Sequence, residues 1–288
     1  MSKVPLIAVV GETASGKSSV AMELGKRFGG EIVNADSWQI YKGMDVGTAK
    51  PSKADQEEIT HHLIDVVEPD EDFTAAIYKR MAVEAIDKID ARGRVPIMVG
   101  GTGLYIDGVL FDYSFLPPGN PYDRERWQSM EIAELINEIN NRGYSLDGID
   151  TRNKRRLVRL LENEGREPSR SDLRENTCVV GIYTSRTKLR SNIEQRVEQM
   201  FRAGLRHEVR ELAEQYGWEA EAMKGIGYKE FYEYFYGTQS MTETKRKIVK
   251  NTLELAKRQR TWFKRNRAII WVTSTNEAID EVEQFLRA

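Results

Sequence analysis

The chain holds one cysteine, Cys178, and three histidines in 288 residues. A single thiol excludes an internal disulfide and any zinc site built from several cysteines. Histidine is equally scarce. His61 and His62 are neighbours, so on a strand their rings point to opposite faces, and only His207 remains. A histidine-ligated metal is therefore not expected. Long hydrophobic runs are also missing: the opening MSKVPLIAVV is too short in apolar residues for a signal segment. No apolar run reaches the roughly 18 residues of a membrane span. The expectation is a cytoplasmic protein without membrane contact.

What is present is an ordinary globular composition, with 40% hydrophobic and 31% charged residues. Net charge is only −2 but unevenly placed. Between residues 245 and 267 ten lysines and arginines face Glu254 alone, a segment of +9. Residues 151–161 add five basic residues and no acid, leaving −16 on the rest. Two basic segments on an acidic body suggest a polyanionic partner. On charge alone, a solvated helix face explains them equally well.

The most informative short stretch is GETASGKS, residues 11–18, which fits G-x-x-x-x-G-K-[ST]. The apolar run PLIAVV precedes it, and Val20, Ala21, Leu24 and Phe28 follow at helical spacing. Strand, loop and helix are the context in which this pattern cradles phosphates. The backbone N–H groups of Gly11, Glu12, Thr13, Ala14, Ser15 and Gly16, with the helix N-terminus, form an anion site. Lys17 adds a full charge, Ser18 stands where a hydroxyl ligates Mg²⁺, and Thr13 adds another hydroxyl. Glu12 is electrostatically unwelcome there and is expected to turn outward.

Further strands are expected at 31–34, 62–67, 95–99, 178–183 and 269–272, with a helix over 73–92. The alternation predicts an α/β fold: a P-loop-containing parallel sheet flanked by helices. LPPGNP (116–121) breaks the rhythm, and helices at 131–141 and 152–162 follow without a strand between them. The domain expectation is an α/β core from 1–116 and 177–288, with further helices over 188–265, and a small all-helical insertion at 117–176.

Ligands in such sheets bind beyond the carboxyl ends of the strands. Asp36 ends the second strand there, placed to take a proton from a nucleophile near the phosphates; a turn-capping Asp is the plainer alternative. VGGTGLY (99–105) ends a third strand at the same edge, its glycines permitting close backbone approach and Thr102 offering a hydroxyl. Asp65 is a second candidate carboxylate near Mg²⁺. Arg152, Arg155, Arg156 and Arg159 fall at i, i+3, i+4 and i+7, which aligns four mutually repelling guanidinium groups on one helix face. Contact with phosphates would relieve that repulsion. Ile248, Leu255 and Trp262 repeat every seven residues and read as core, as does Phe263.

Taken together, these stretches resemble the tRNA dimethylallyltransferases, also called tRNA isopentenyltransferases. The likeness runs along nearly the whole chain: GETASGKS, NADSWQIYKGMDVGTAKP, HHLIDVVEP, VGGTGLY, TRNKRRLVRLLE, RVEQMFRAGLRHEV, GIGYKE and LAKRQRTWFKR. The resemblance implies that the loop holds the diphosphate of dimethylallyl diphosphate, with Mg²⁺, and that the prenyl carbon–oxygen bond opens. The acceptor it implies is the exocyclic N6 amine of the adenosine 3′-adjacent to the anticodon of tRNA, position 37. It assigns Asp36 as proton acceptor, with Thr13, Lys17 and Arg196 at the diphosphate. It places Asp36, Ser37, Trp38, Gln39 and Thr102 at the anticodon stem-loop, with 155–159 (Arg155, Arg156, Leu157, Val158, Arg159) on the tRNA. A monomer is expected. Glu12 stands where the family has proline, and Trp38 where it has methionine. The insertion is short, and no zinc finger follows the last helix, as in bacterial-type members.

Two other classes fit parts of the pattern. A P-loop small-molecule or nucleoside kinase would use the loop for ATP and the arginine helix as a lid. A nucleotide-switched RNA-binding module would use both basic segments and do no chemistry. The donor separates the first from a prenyltransferase; loss of turnover in Asp36→Asn with RNA affinity kept separates the second.

Overall fold

The computed structural model of the protein describes residues 4–117, 119–166 and 168–288. Met1, Ser2, Lys3, Pro118 and Glu167, which fall within stretches read above, lie outside them. In chain order the elements are β1 (Leu6–Gly11), α1 (Lys17–Phe28), β2 (Gly30–Asn34), α2 (Lys53–Glu58) and β3 (His61–His62). Next come α3 (Ala75–Ala91), β4 (Val95–Gly100), α4 (Gly103–Leu110), α5 (Pro121–Ser129), α6 (Ile132–Asn141) and α7 (Lys154–Glu162). The chain continues with β5 (Thr177–Ile182), α8 (Arg186–Arg202), α9 (Leu205–Tyr216) and α10 (Tyr232–Phe235). It closes with α11 (Met241–Phe263), β6 (Ile269–Val272) and α12 (Thr275–Arg287). None of the described helices is long and apolar enough to cross a membrane.

Among the described residues the strands form one parallel sheet in the order β3-β2-β4-β1-β5-β6. β1 sits inside it, paired to β4 and β5, and all six of its residues are buried. That explains its unbroken apolar sequence: a central parallel strand has no wet face to alternate toward. One face of the sheet buries Ile7, Val9, Ile97 and Val180 against Val20, Ala21 and Leu24 of α1 and Val282 of α12. Each fully buried valine, leucine or isoleucine among them contributes about 1.5–3 kcal/mol. A second cluster gathers Ile40, Tyr41 and Met44 with α8, α9, Phe231 and Ile248 of α11.

The expected strand at 62–67 is reduced to His61–His62. Leu63 and Asp65 adopt left-handed φ of 63° and 55°, which breaks extended pairing; Val67 regains only an isolated bridge to Tyr41. In α11 the buried seam is Thr244, Ile248, Thr252, Ala256, Gln259 and Phe263, rather than the seven-residue repeat of Ile248, Leu255 and Trp262. Helix α5 was not legible as apolar periodicity, because Trp127 is its only buried residue. Its signal is the Asn120 cap followed by Pro121 at the first helical position.

The described chain divides into two compact units, 4–110 with 173–288, and Phe111–Asp172. Within the second, Ser171 donates to the Phe111 carbonyl at 2.7 Å and Ser114 bonds Ser169, so its two ends are tied to each other. Its core is Trp127, Leu135, Ile139, Leu157, Val158, Leu160 and Leu161.

Candidate active site

The phosphate loop leaves the end of β1 and enters α1 through Gly16, whose φ of 94° is a left-handed conformation that favours glycine. Ala14 is held at φ 61°, and its carbonyl accepts from Asn192 of α8 at 3.0 Å. Lys17 is buried, its ammonium 3.5 Å from the Glu12 carbonyl. Burial pushes the Lys17 pKa down to about 8; Asp36 opposes that fall and the positive charge of Arg196 adds to it. A polyanion in the cradle would raise the pKa again.

Glu12 does not turn outward to solvent. Its side chain is 7% exposed, and its carboxylate accepts a hydrogen bond from Arg260 Nη2 of α11 at 2.7 Å, with Arg260 Nε 2.6 Å from its other oxygen. Arg260 also donates to the Thr184 carbonyl. The acid that looked misplaced beside phosphate is thereby neutralised by a bidentate partner 248 residues away.

A cavity of about 330 Å³ opens in front of the loop, lined by Thr13, Lys17, Ser18, Asp36, Gln39 and Arg196 among others. A smaller one, about 50 Å³, shares Thr13, Asp36, Thr48 and Arg196 with it and continues to Trp38, Gly47 and Gly227. Those four shared residues stand between the two spaces. Arg196 donates to the Thr13 hydroxyl oxygen at 2.5 Å, which leaves that hydroxyl its own proton to donate. Asp36 Oδ1 caps the turn by accepting the Trp38 N–H at 3.0 Å, the plainer of the two readings of its position, and the residue also lines both cavities.

Ser37 and Thr102 are brought together but do not line the larger cavity. Thr102 Oγ1 accepts the Ser37 N–H at 3.0 Å and bonds its hydroxyl at 3.2 Å. Gln39 donates its amide to the Thr48 and Ala49 carbonyls, tying the second strand's loop to 48–50. Trp38 packs over Gly225, where a Cβ would lie 3.1 Å from its ring. Asp65 is withdrawn from the site, because it pairs with Lys50, which also bonds Asp45 and the Tyr41 carbonyl.

Among the described residues no three His, Cys, Asp or Glu side chains gather as a metal site. Mg²⁺ bound with phosphates needs no such cluster, since one protein oxygen, substrate oxygens and water complete its shell. The Ser18 hydroxyl on the cavity wall fits that role.

The arginine face is smaller than its spacing suggested. Asn153 caps α7 by accepting the Arg156 N–H, so Arg152 lies outside the helix and pairs with Asp150. Arg159 is engaged by Glu162 and the Leu116 carbonyl. Leu157 and Val158 are 0% and 5% exposed in the helical unit's core, so they seat α7 and present no side chain to RNA. Arg155 and Arg156 are exposed. Sequence reading missed Gln259, Asn192 and Arg260, whose partners lie 76–248 residues away and leave no local signal.

The family model described as IPP transferase matches residues 39–266. The tRNA dimethylallyltransferase of Anoxybacillus flavithermus is 39% identical over 289 residues, covering 96% of this chain and 92% of the relative. The crystal structure of tRNA delta(2)-isopentenylpyrophosphate transferase from Staphylococcus epidermidis superposes with a TM-score of 0.74 at 32% identity, covering 99% of both chains. The full-length tRNA isopentenylpyrophosphate transferase from Bacillus halodurans gives 0.76 at 31% identity, covering 99% of this chain and 96% of that one.

Proposed function

This chain belongs to the IPP transferase family, and on that premise we propose that it transfers the dimethylallyl group of dimethylallyl diphosphate to tRNA. The acceptor is the N6 amine of the adenosine 3′-adjacent to the anticodon, position 37. One observation carries the reading: Thr13, Asp36 and Arg196 line both of two adjoining cavities, one backed by the phosphate loop and the other reaching Trp38.

The carbon–oxygen bond of the prenyl group breaks, and its electron pair leaves with the diphosphate. Lys17, Arg196 and the Thr13 hydroxyl face the growing negative charge, as donors already in place before reaction. Mg²⁺ held by Ser18 and phosphate oxygens would supply further charge neutralisation. The N6 nitrogen forms the new bond to the prenyl carbon, and Asp36 takes the proton that nitrogen sheds. Adenine reaches Asp36 only after leaving its stack. Exposed Arg155 and Arg156 supply phosphate contacts on the tRNA.

The test is incubation with dimethylallyl diphosphate, Mg²⁺ and unmodified tRNA, followed by nucleoside mass spectrometry. The expected product is dimethylallyl-adenosine, reduced at least about a hundredfold in Asp36→Asn, with tRNA affinity little changed. Equal turnover in that variant would remove Asp36 as proton acceptor. Phosphoryl transfer from ATP without prenylation would overturn the whole reading.

A further inference from the structure

Gln259 lies on the buried seam of α11 and is 9% exposed. Its Oε1 accepts the Thr13 backbone N–H at 2.7 Å, and its Nε2 donates to the Gly101 carbonyl at 3.0 Å. One primary amide thus joins two loops 88 residues apart in sequence, matching a donor on one and an acceptor on the other. The fit is close: a Cβ at Gly101 would stand 2.3 Å from the Gln259 amide nitrogen. The Thr13 N–H is consequently not among the donors left to a phosphate, and that residue offers the cavity its hydroxyl instead.

The chain of contacts continues beyond Gly101. The next residue, Thr102, accepts the Ser37 N–H, and Ser37 adjoins Asp36. The groups assigned above to opposite halves of the reaction, Thr13 at the leaving diphosphate and Asp36 at the departing proton, are thereby connected through this one side chain. We propose that Gln259 is a positioning residue that sets the spacing between the phosphate loop and the Asp36 turn. The inference rests on the transferase reading. Gln259 lines neither of the two cavities, so its effect belongs in turnover rather than in affinity.

Two variants test it. Gln259→Met keeps the length and loses both hydrogen bonds. Gln259→Glu keeps the acceptor for Thr13, and when protonated it also restores a donor to Gly101; when ionised it opposes the Gly101 carbonyl. The charged groups nearby are the Glu12–Arg260 pair, Lys17, Arg196, Asp36, and Asp107, which accepts from the Trp262 ring N–H. All are common to both variants, so they cancel in the ratio of their rates.

Wild-type product formation is measured first; its absence would mean that the transferase reading has failed, before any variant is compared. Given product, Gln259→Met is expected to lose roughly thirtyfold or more in kcat, as small misplacements of reacting groups do, with KM for both substrates within about threefold. The ratio of Gln259→Glu to Gln259→Met turnover should climb as pH falls from about 8 to about 5.5. Folding is checked by melting temperature and circular dichroism, and the ratio is read on whichever variants fold. A folded Gln259→Met with kcat within threefold of wild type would overturn the proposal. So would a loss confined to KM for tRNA, which would make Gln259 an RNA contact, or a ratio independent of pH.

Discussion

Lys17 and Glu12 show how one loop residue can be read correctly for type and incompletely for state. Lysine at the end of a phosphate loop is expected to be charged, yet burial holds Lys17 at about 8 in the free protein. Its protonated form binds anions, so the contribution is present below that pKa and lost as pH rises through it. Calorimetric titration with inorganic diphosphate, without added metal, should therefore show the wild-type advantage over Lys17→Met shrinking between about pH 7 and about pH 9.5. A constant ratio would mean that Lys17 keeps its ordinary pKa in the free site. Glu12 was visible as an anomaly in the sequence, but its resolution by Arg260 was not, because a partner 248 residues distant leaves no periodicity.

At the scale of elements, the loop after β2 illustrates what holds a site wall that is neither helix nor strand. Glu208 of α9 accepts the N–H groups of Asp45, Val46 and Gly47 at 3.0, 2.7 and 2.9 Å, and the Tyr228 hydroxyl at 2.6 Å. Gly47 is needed for close approach, since a Cβ would come within 2.5 Å of the Tyr228 ring. Leaving such donors without an acceptor costs about 1–3 kcal/mol each where water is excluded. Glu208→Ala should therefore accelerate amide hydrogen exchange at 45–47 by about tenfold or more while the β1 amides stay protected. Unchanged exchange at those amides would show that Glu208 is not the anchor. The same loop carries Thr48, which lines both cavities, so an acid on a distant helix helps to shape the site.

For the whole molecule, the two basic segments bear on a polyanionic substrate. The structure reduces the free charge on α11: Lys245 pairs with Glu198, Arg246 with Glu243, Lys247 with Glu233 and Arg260 with Glu12. Lys250, Lys257, Arg258 and Lys264 remain exposed. In the helical unit, Arg155 and Arg156 are exposed as well. Each phosphate contact releases counterions, so tRNA affinity should fall at least about tenfold between about 50 and about 200 mM salt. Fluorescence anisotropy with labelled tRNA measures this. Affinity that ignores salt would remove these segments from the interface.

By itself the sequence determined the phosphate loop and its flanking elements, the parallel character of the sheet and the strand-end position of Asp36. Those features follow from short-range rules: unbroken apolar runs, helical spacing, and glycine where backbone comes close. The same rules placed helices near α6 and α7 within a few residues. They could not decide which charges are already neutralised, because ion pairs such as Glu12–Arg260 depend on elements meeting in three dimensions. Nor could they separate Leu157 and Val158 from the arginines beside them, until burial showed which face of α7 is core. Only the tertiary structure brought Arg196 of α8 against Thr13 and onto the cavity that Asp36 lines. It also put Gln259 between their loops, because a hydrogen bond forms between neighbours in space whatever their distance along the chain.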